Sequence, residues 1–143
     1  MHTIILAAGR GERLKPLTNH TPKPLAVVRG QPLLAWHFKN LQKARFNNIV
    51  INVSWLKEQI IQFATQNATK EFIIQISDEG DQALETGGGI RKALPLLGKS
   101  PFLALSADVF TDFSFTQLPD LGADSSVHLV LVKNPEHHPT GDF

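Results

Sequence analysis

The sequence predicts an α/β fold, a doubly wound and mostly parallel sheet with helices on both faces. Two observations carry that reading. Five short runs, Thr3 to Leu6, Ile49 to Val53, Ile73 to Ile76, Phe102 to Leu105 and Val127 to Val132, are nearly continuous in β-branched and aliphatic residues, as strands buried on both faces are. Between the first four lie stretches whose apolar residues recur at helical spacing, so strand and helix alternate and right-handed crossovers lay the helices on the sheet. The 143 residues make one domain's length, enough to bury roughly 68 to 70% of the surface exposed by the unfolded chain without a disulfide or structural metal.

The elements follow in order. Thr3 to Leu6 is the first strand. The first helix opens only after Gln31 and Pro32, with Leu33, Leu34, Trp36, Phe38 and Leu41 at helical spacing on the way to Phe46. A second strand, Ile49 to Val53, leads to a helix marked by Ile60, Ile61, Phe63 and Ala64. The third strand, Ile73 to Ile76, is followed by Glu85-Thr86-Gly87-Gly88-Gly89-Ile90, which precedes a helix carrying Ala93, Leu94 and Leu97. The fourth strand runs from Phe102 to Leu105 and ends in Ser106-Ala107-Asp108-Val109. A further strand, Val127 to Val132, completes the pattern. One connection is abnormal: roughly 25 residues separate the first strand from its helix, where such loops usually have about 2 to 6. Its prolines and glycines describe a shaped loop.

Composition narrows the function classes. There is no cysteine, which excludes disulfides, thiolate metal sites and cysteine nucleophiles. Fourteen basic against thirteen acidic residues leave a formal charge of +1, too little for a global field that would attract nucleic acid or an anionic membrane. The apolar run Ile4 to Ala8 is cut short by Arg10, so no signal-peptide core or membrane span is expected, and the expected location is the cytoplasm.

An anion site must then be local. Leu6-Ala7-Ala8-Gly9-Arg10-Gly11-Glu12-Arg13-Leu14 leaves the first strand directly. Small residues allow close approach to the backbone, and successive N–H groups in a glycine turn make an anion-binding concavity. Arg10, Arg13, Lys15 and Lys23 against Glu12 give this region a local charge of +3, which suits a polyphosphate; a purely structural turn is the alternative. No G-x-x-x-x-G-K-[ST] string is present, and the dinucleotide fingerprint fails at Leu14. Lys23, bracketed by Pro22 and Pro24, is held with little backbone freedom. Asp108 ends the fourth strand. If strand order reverses between the first and fourth strands, their carboxyl ends flank one crevice and Asp108 faces Gly9 to Arg13. A carboxylate there is a hard ligand suited to Mg²⁺; a turn cap before Thr111 and Phe113 is the alternative. The triple glycine offers either a flat surface for a planar base, with Thr86 as a helix cap, or tight helix-to-sheet packing. His2, His20, His37, His128, His137 and His138 show no metal-ligand spacing.

Taken together, Leu6 to Leu14, Pro16-Leu17-Thr18 and Thr21-Pro22-Lys23-Pro24-Leu25 resemble the signature of sugar-1-phosphate nucleotidylyltransferases. Asp78-Glu79-Gly80, Leu84 to Ile90 and Asp108-Val109-Phe110-Thr111-Asp112 resemble most closely the branch that joins UTP to N-acetylmuramate 1-phosphate in cell-wall recycling. The resemblance implies a Rossmann-like fold and a reaction that takes a nucleoside triphosphate and a sugar 1-phosphate to a nucleoside diphosphate sugar and pyrophosphate, with Mg²⁺ as cofactor. It implies that Leu6, Ala7, Ala8, Gly9 and Gly11 hold the nucleotide, that Arg13 and Lys23 act on its phosphates at the reacting centre, that Glu85, Thr86, Gly87 and Gly88 lie at the base, and that Asp108 binds the metal. Ala107 stands where many relatives carry glycine. Family members are longer than 143 residues, so residues 1–143 are expected to be the nucleotide-binding part of one domain, truncated at the C-terminal side, with the acceptor-sugar part and a second metal-binding aspartate beyond Phe143. Self-association through exposed apolar surface or a strand edge is the expected physical consequence. The competing readings are the same reaction with dTTP or GTP and a hexose 1-phosphate, a nucleotide-binding module without turnover, and a redox dinucleotide-binding domain, which the absent third glycine disfavours.

Overall fold

The computed structural model describes residues 1–122, 124–134, 136 and 139–140. In chain order the elements are β1 (His2–Leu6), a two-stranded ribbon of β2 (Val27–Val28) and β3 (Gln31–Pro32), α1 (Leu33–Lys43), β4 (Asn48–Val53), α2 (Lys57–Asn67), β5 (Ile73–Asp78), α3 (Glu85–Leu97) and β6 (Phe102–Ser106). The main sheet has the order β5-β4-β1-β6 and is parallel throughout, with Ile4 of β1 opposite Val50 of β4 on one side and Ala104 of β6 on the other.

Successive side chains of a strand point to opposite faces, and β1 and β4 use both. Ile5, Ile49, Ile51 and Val53 pack with Leu34, Phe38 and Leu41 of α1 and with Ile60 and Ala64 of α2. Ile4 and Val50 pack on the other face with Ala93 and Leu97 of α3. The isoleucines at 4, 5, 49 and 51 are essentially inaccessible to solvent, each stabilising the fold by about 1.5–3 kcal/mol relative to exposure. This is the doubly wound arrangement the alternating pattern predicts. Because β1 lies between β4 and β6, the chain moves one way from β1 and later returns to its other side. The crevice at the carboxyl ends of β1 and β6 is the topological switch point where such sheets bind ligands.

The structure departs from the sequence reading in four places. The helical spacing running to Phe46 stops at Lys43, because Arg45 adopts a left-handed conformation (φ 63°) and the Phe46 N–H turns back to the Leu41 carbonyl at 2.9 Å. The β2–β3 ribbon is unforeseen; its turn residues Arg29 (φ 50°) and Gly30 (φ 82°) are both left-handed, as a two-residue hairpin turn requires. The glycine run lies inside the first turns of α3 instead of ahead of it, and Thr86 does not cap the helix, whose N-cap is Leu84. Finally, Val127 to Val132 forms no strand. Val127 is 68% and Val132 86% exposed, and no backbone hydrogen bond joins this segment to the sheet. Apolar character makes a strand only where a ladder partner and a covering face are both present, and among the described residues this run has neither. His137, His138 and the segment Gly141 to Phe143 lie outside the described residues. Among the described residues no helix is long and apolar enough to cross a membrane.

Candidate active site

The crevice at the switch point is a cleft of about 740 Å³. The loop after β1 forms one wall from Leu6 to Leu14, joined by Lys23 and Pro24. Asn52, Glu79, Gln82 and Ala83 form the floor and far end together with Glu85 and Thr86 at the start of α3. Ser106, Ala107 and Asp108 at the end of β6 close the opposite side.

The long loop owes its shape to local chemistry. Gly11 is left-handed (φ 65°), and a Cβ there would stand 2.8 Å from Thr18 Cγ2 and 3.3 Å from Lys23 Cβ, so the position requires glycine. Thr18 is buried; its hydroxyl donates to the Gly11 carbonyl at 2.9 Å, and its own carbonyl accepts from Trp55 Nε1 at 3.0 Å. Gln59 Nε2 donates to the His20 carbonyl at 2.8 Å, so the loop is fastened both to itself and to the segment that opens α2. Arg10 lies over the Trp55 ring, 5.3 Å from its centroid, and Lys15 pairs with Glu12. Lys23 is not extended, as the following proline predicts. It opens a single 3-10 turn, Lys23–Leu25, closed by the Ala26 N–H on the Lys23 carbonyl at 3.0 Å.

That turn carries Lys23 across the switch point. Its Nζ donates to Asp108 Oδ2, and Ser106 Oγ donates to Asp108 Oδ1 at 2.7 Å. The two charges are 85 residues apart in sequence. Burial alone would raise the Asp108 carboxyl, but the hydrogen bonds from Lys23 and Ser106 and the lysine charge outweigh it and hold the group below its ordinary range. The hydrogen bonds on the Asp108 carboxylate come from the side chains of Lys23 and Ser106, while in the turn that follows Thr111 Oγ1 accepts the Phe113 N–H at 3.1 Å.

Behind this pair lies His37 of α1, buried and facing Ala107 to Val109. Burial lowers its pKa, more strongly than the backbone of Ala107 and Val109 and the Asp108 charge raise it. A buried neutral imidazole leaves the unfolded chain binding more protons, so stability rises with pH in this range. The thermal midpoint is therefore expected to fall as pH drops below about 6.5, and His37→Phe should flatten the profile between roughly pH 5 and 7 in calorimetric scans. An unchanged slope in that variant would remove His37 as its source.

Of the residues singled out from sequence, Leu6, Ala7, Ala8, Gly9, Gly11, Arg13, Lys23, Glu85, Thr86 and Asp108 line one cleft. Gly87 and Gly88 do not. A Cβ on Gly87 would meet nothing, one on Gly88 would stand 2.8 Å from Leu84 Cβ, and one on Gly89 would run into Glu79 Oε1 and Asn52 Nδ2. The run serves helix-to-sheet packing at Gly89 while Glu85 and Thr86 reach the cleft. Asn52, Gln82 and Ala83 are lining residues that sequence reasoning missed, and Glu79 and Ser106 line the cleft although the sequence offers them only as parts of longer motifs with no role of their own. Asn52 and Glu79 are polar residues at the ends of buried strands, a signal that a purely apolar scan passes over.

The Asp108 carboxylate, the cations of Arg13 and Lys23 and the glycine turn line one cleft, and comparison with known proteins gives the chain a family. A protein from Neisseria meningitidis serogroup B named N-acetylmuramate alpha-1-phosphate uridylyltransferase is 49% identical over the whole of this chain, which spans 64% of that relative's length. One of the same name from Caulobacter vibrioides is 40% identical over 73% of this chain and 44% of its own. In the crystal structure of HddC from Yersinia pseudotuberculosis complexed with GMP-PN, 51% of the chain superimposes on 81% of this one with a TM-score of 0.69 at 25% identity. The family model for nucleotidyl transferases matches residues 2–141, and the chain belongs to that family.

Proposed function

We propose that the chain supplies the nucleotide-binding part of a sugar-1-phosphate nucleotidyltransferase that takes UTP and N-acetylmuramate 1-phosphate to a uridine diphosphate sugar and pyrophosphate. The observation that carries this reading is the meeting of Lys23 and Asp108 across the switch point, beside the glycine turn. The reaction joins two polyanions: a phosphate oxygen of the sugar phosphate attacks the α-phosphorus, the bond to the β-phosphate breaks, and pyrophosphate leaves on the opposite side. That oxygen is already ionised at neutral pH, so no general base is assigned. The barrier is charge repulsion and alignment. Arg13 and Lys23 lower it by neutralising phosphate oxygens, and the N–H groups of Ala8 to Gly11 supply fixed dipoles.

Asp108 fits Mg²⁺, a hard cation that takes carboxylate oxygens. Asp108 would hold it, and the ion would supply positive charge against the charge that develops on the phosphates. Lys23 and Asp108 satisfy each other, and a bound triphosphate would give Lys23 an anionic partner in place of the carboxylate. Glu85 and Thr86 stand where the base would lie. The names of the two uridylyltransferase relatives support UTP as donor; a cytoplasmic role in cell-wall recycling is part of the proposal. The test is direct: the full-length protein with Mg²⁺, UTP and N-acetylmuramate 1-phosphate should release pyrophosphate, faster than with dTTP or GTP and a hexose 1-phosphate. UTP binding by calorimetry with no pyrophosphate release would favour a module without turnover, and no triphosphate binding would sink the reading.

Self-association belongs to the same proposal. β6 ends the sheet with one edge unpaired among the described residues, and Val109, Phe110, Leu129, Val130 and Leu131 are exposed. Unpaired edges and apolar surface favour association. Light scattering of the 143-residue chain is expected to show a mass that grows with concentration; a strict monomer at high concentration would contradict it.

A further inference from the structure

Asn52 and Glu79 are 3% and 7% exposed, the one within β4 and the other just beyond β5. Both have partners outside their own strands. The Ala7 N–H donates to Asn52 Oδ1 at 2.6 Å, Asn52 Nδ2 donates to Glu79 Oε1 at 2.7 Å, and the Leu84 N–H donates to Glu79 Oε2 at 2.7 Å. Two backbone donors, one leaving β1 and one entering α3, therefore point inward at a bridge of two side chains. Such a bridge has to present an acceptor at each end. An amide offers one acceptor and one donor, and a carboxylate offers acceptors only. One amide with one carboxylate satisfies every bond. Two amides set donor against donor, and two carboxylates set acceptor against acceptor with like charges in a buried site.

The geometry points to Asn52 and Glu79 as positioning residues that fix the separation of the two backbone segments at the nucleoside end of the cleft, the Ala7 turn and the Glu85–Thr86 start of α3. They do so through the alternation of amide and carboxylate, and the order of the two is immaterial. The inference rests on the nucleotide-binding reading above. The bridge makes no hydrogen bond to Gly11, Arg13 or Lys23 at the phosphate end, so it bears on the grip on the nucleoside far more than on the grip on phosphate.

The swap Asn52→Asp with Glu79→Gln tests this. In the doubly substituted chain the aspartate accepts from Ala7 N–H and from the glutamine amide, whose oxygen accepts from Leu84 N–H, so all three bonds return with the charge moved one residue along. The full chain, both single variants and the double variant would be titrated calorimetrically with UTP and, separately, with inorganic tripolyphosphate, and their folding checked by circular dichroism. Each single variant should bind UTP roughly tenfold or more weakly, as expected when buried like groups face each other. The double variant should return to within about threefold of the unsubstituted chain, and tripolyphosphate affinity should stay level across the set. The proposal is overturned if the double variant is no better than the worse single variant, if it fails to fold, if the single variants bind UTP normally, or if tripolyphosphate affinity falls in step with UTP. A single variant that does not fold while the double variant folds and binds UTP supports it. If the unsubstituted chain binds tripolyphosphate but not UTP, the nucleotide-binding reading itself fails, a result distinct from all of these.

Discussion

The Asp108→Asn protein is expected to keep its fold and to lose about 10²- to 10³-fold of its Mg²⁺-dependent pyrophosphate release, the loss typical when a group aimed at developing charge is removed. The substitution keeps the shape of the side chain. An amide oxygen can still accept from Ser106, which holds Oδ1 at 2.7 Å, but the Lys23 ammonium loses its anionic partner and a divalent cation loses its hard anionic ligand. Lys23 and Asp108 are each about one-quarter to one-third exposed, so water replaces the lost partner and the thermal midpoint at neutral pH should move by only a few degrees.

A second measurement separates the charge from the shape. The folded-state pKa of Asp108 is held below its ordinary value. Its contribution to stability is therefore present above the ordinary carboxyl pKa of about 3.9 and is lost as pH falls through the folded value. The variant lacks this contribution at every pH, so the difference in stability between the two proteins should shrink as pH drops below about 4. Unchanged turnover in the variant would remove Asp108 from the metal site, and the difference in acid stability would then stand as evidence of the ion pair alone.

How much of this was legible in the sequence follows from which forces are local. The β-α alternation, the positions of β1, β4, β5 and β6 and the convergence of Gly9, Arg13 and Asp108 could be read because continuous apolar runs and helical spacing report burial, which is complete on both faces in β1 and β4 and only partial in the edge strands β5 and β6. The β2–β3 ribbon escaped because its signal is two left-handed residues, Arg29 and Gly30, in strands two residues long. Val127 to Val132 misled because its composition suits a strand, while pairing is a property of the neighbours. Within the site, Lys23 and Asp108 were found as separate candidates, but their pairing spans 85 residues and no local pattern encodes it. The role of Asn52 and Glu79 escapes a sequence reading because it lies in a three-element hydrogen-bond chain. The glycine run was read as a break before a helix because glycine costs about 1 kcal/mol in a helix interior relative to alanine. Tertiary packing overrides that cost where Gly89 lets α3 approach the Asn52–Glu79 bridge.

Gly89→Ala is expected to be among the most destabilising single-methyl additions in the molecule. In a solvent-exposed helix the change would be favourable, since alanine loses less conformational freedom on folding. Here the new Cβ would land on Glu79 Oε1 and stand 2.6 Å from Asn52 Nδ2, both atoms fixed by buried hydrogen bonds. Relief requires either moving α3 away from Ala93 and Leu97's packing partners Ile4 and Val50 or breaking the bridge and leaving buried polar atoms unpaired. Overpacking of this kind costs about 1–3 kcal/mol and a lost buried hydrogen bond a similar amount, so by either route the loss is about 1–3 kcal/mol, a drop in thermal midpoint of roughly 5–10 °C. Gly87→Ala, two residues earlier in the same helix with open space around its Cβ, should instead leave the midpoint unchanged or raise it slightly, a stability gain of at most about 1 kcal/mol. Comparing the two variants by thermal denaturation cancels helix propensity, because both add one methyl to α3. Equal midpoints would show that α3 does not press on the Asn52–Glu79 bridge, whereas a large drop confined to position 89 ties the stability of the third crossover to the polar floor of the cleft.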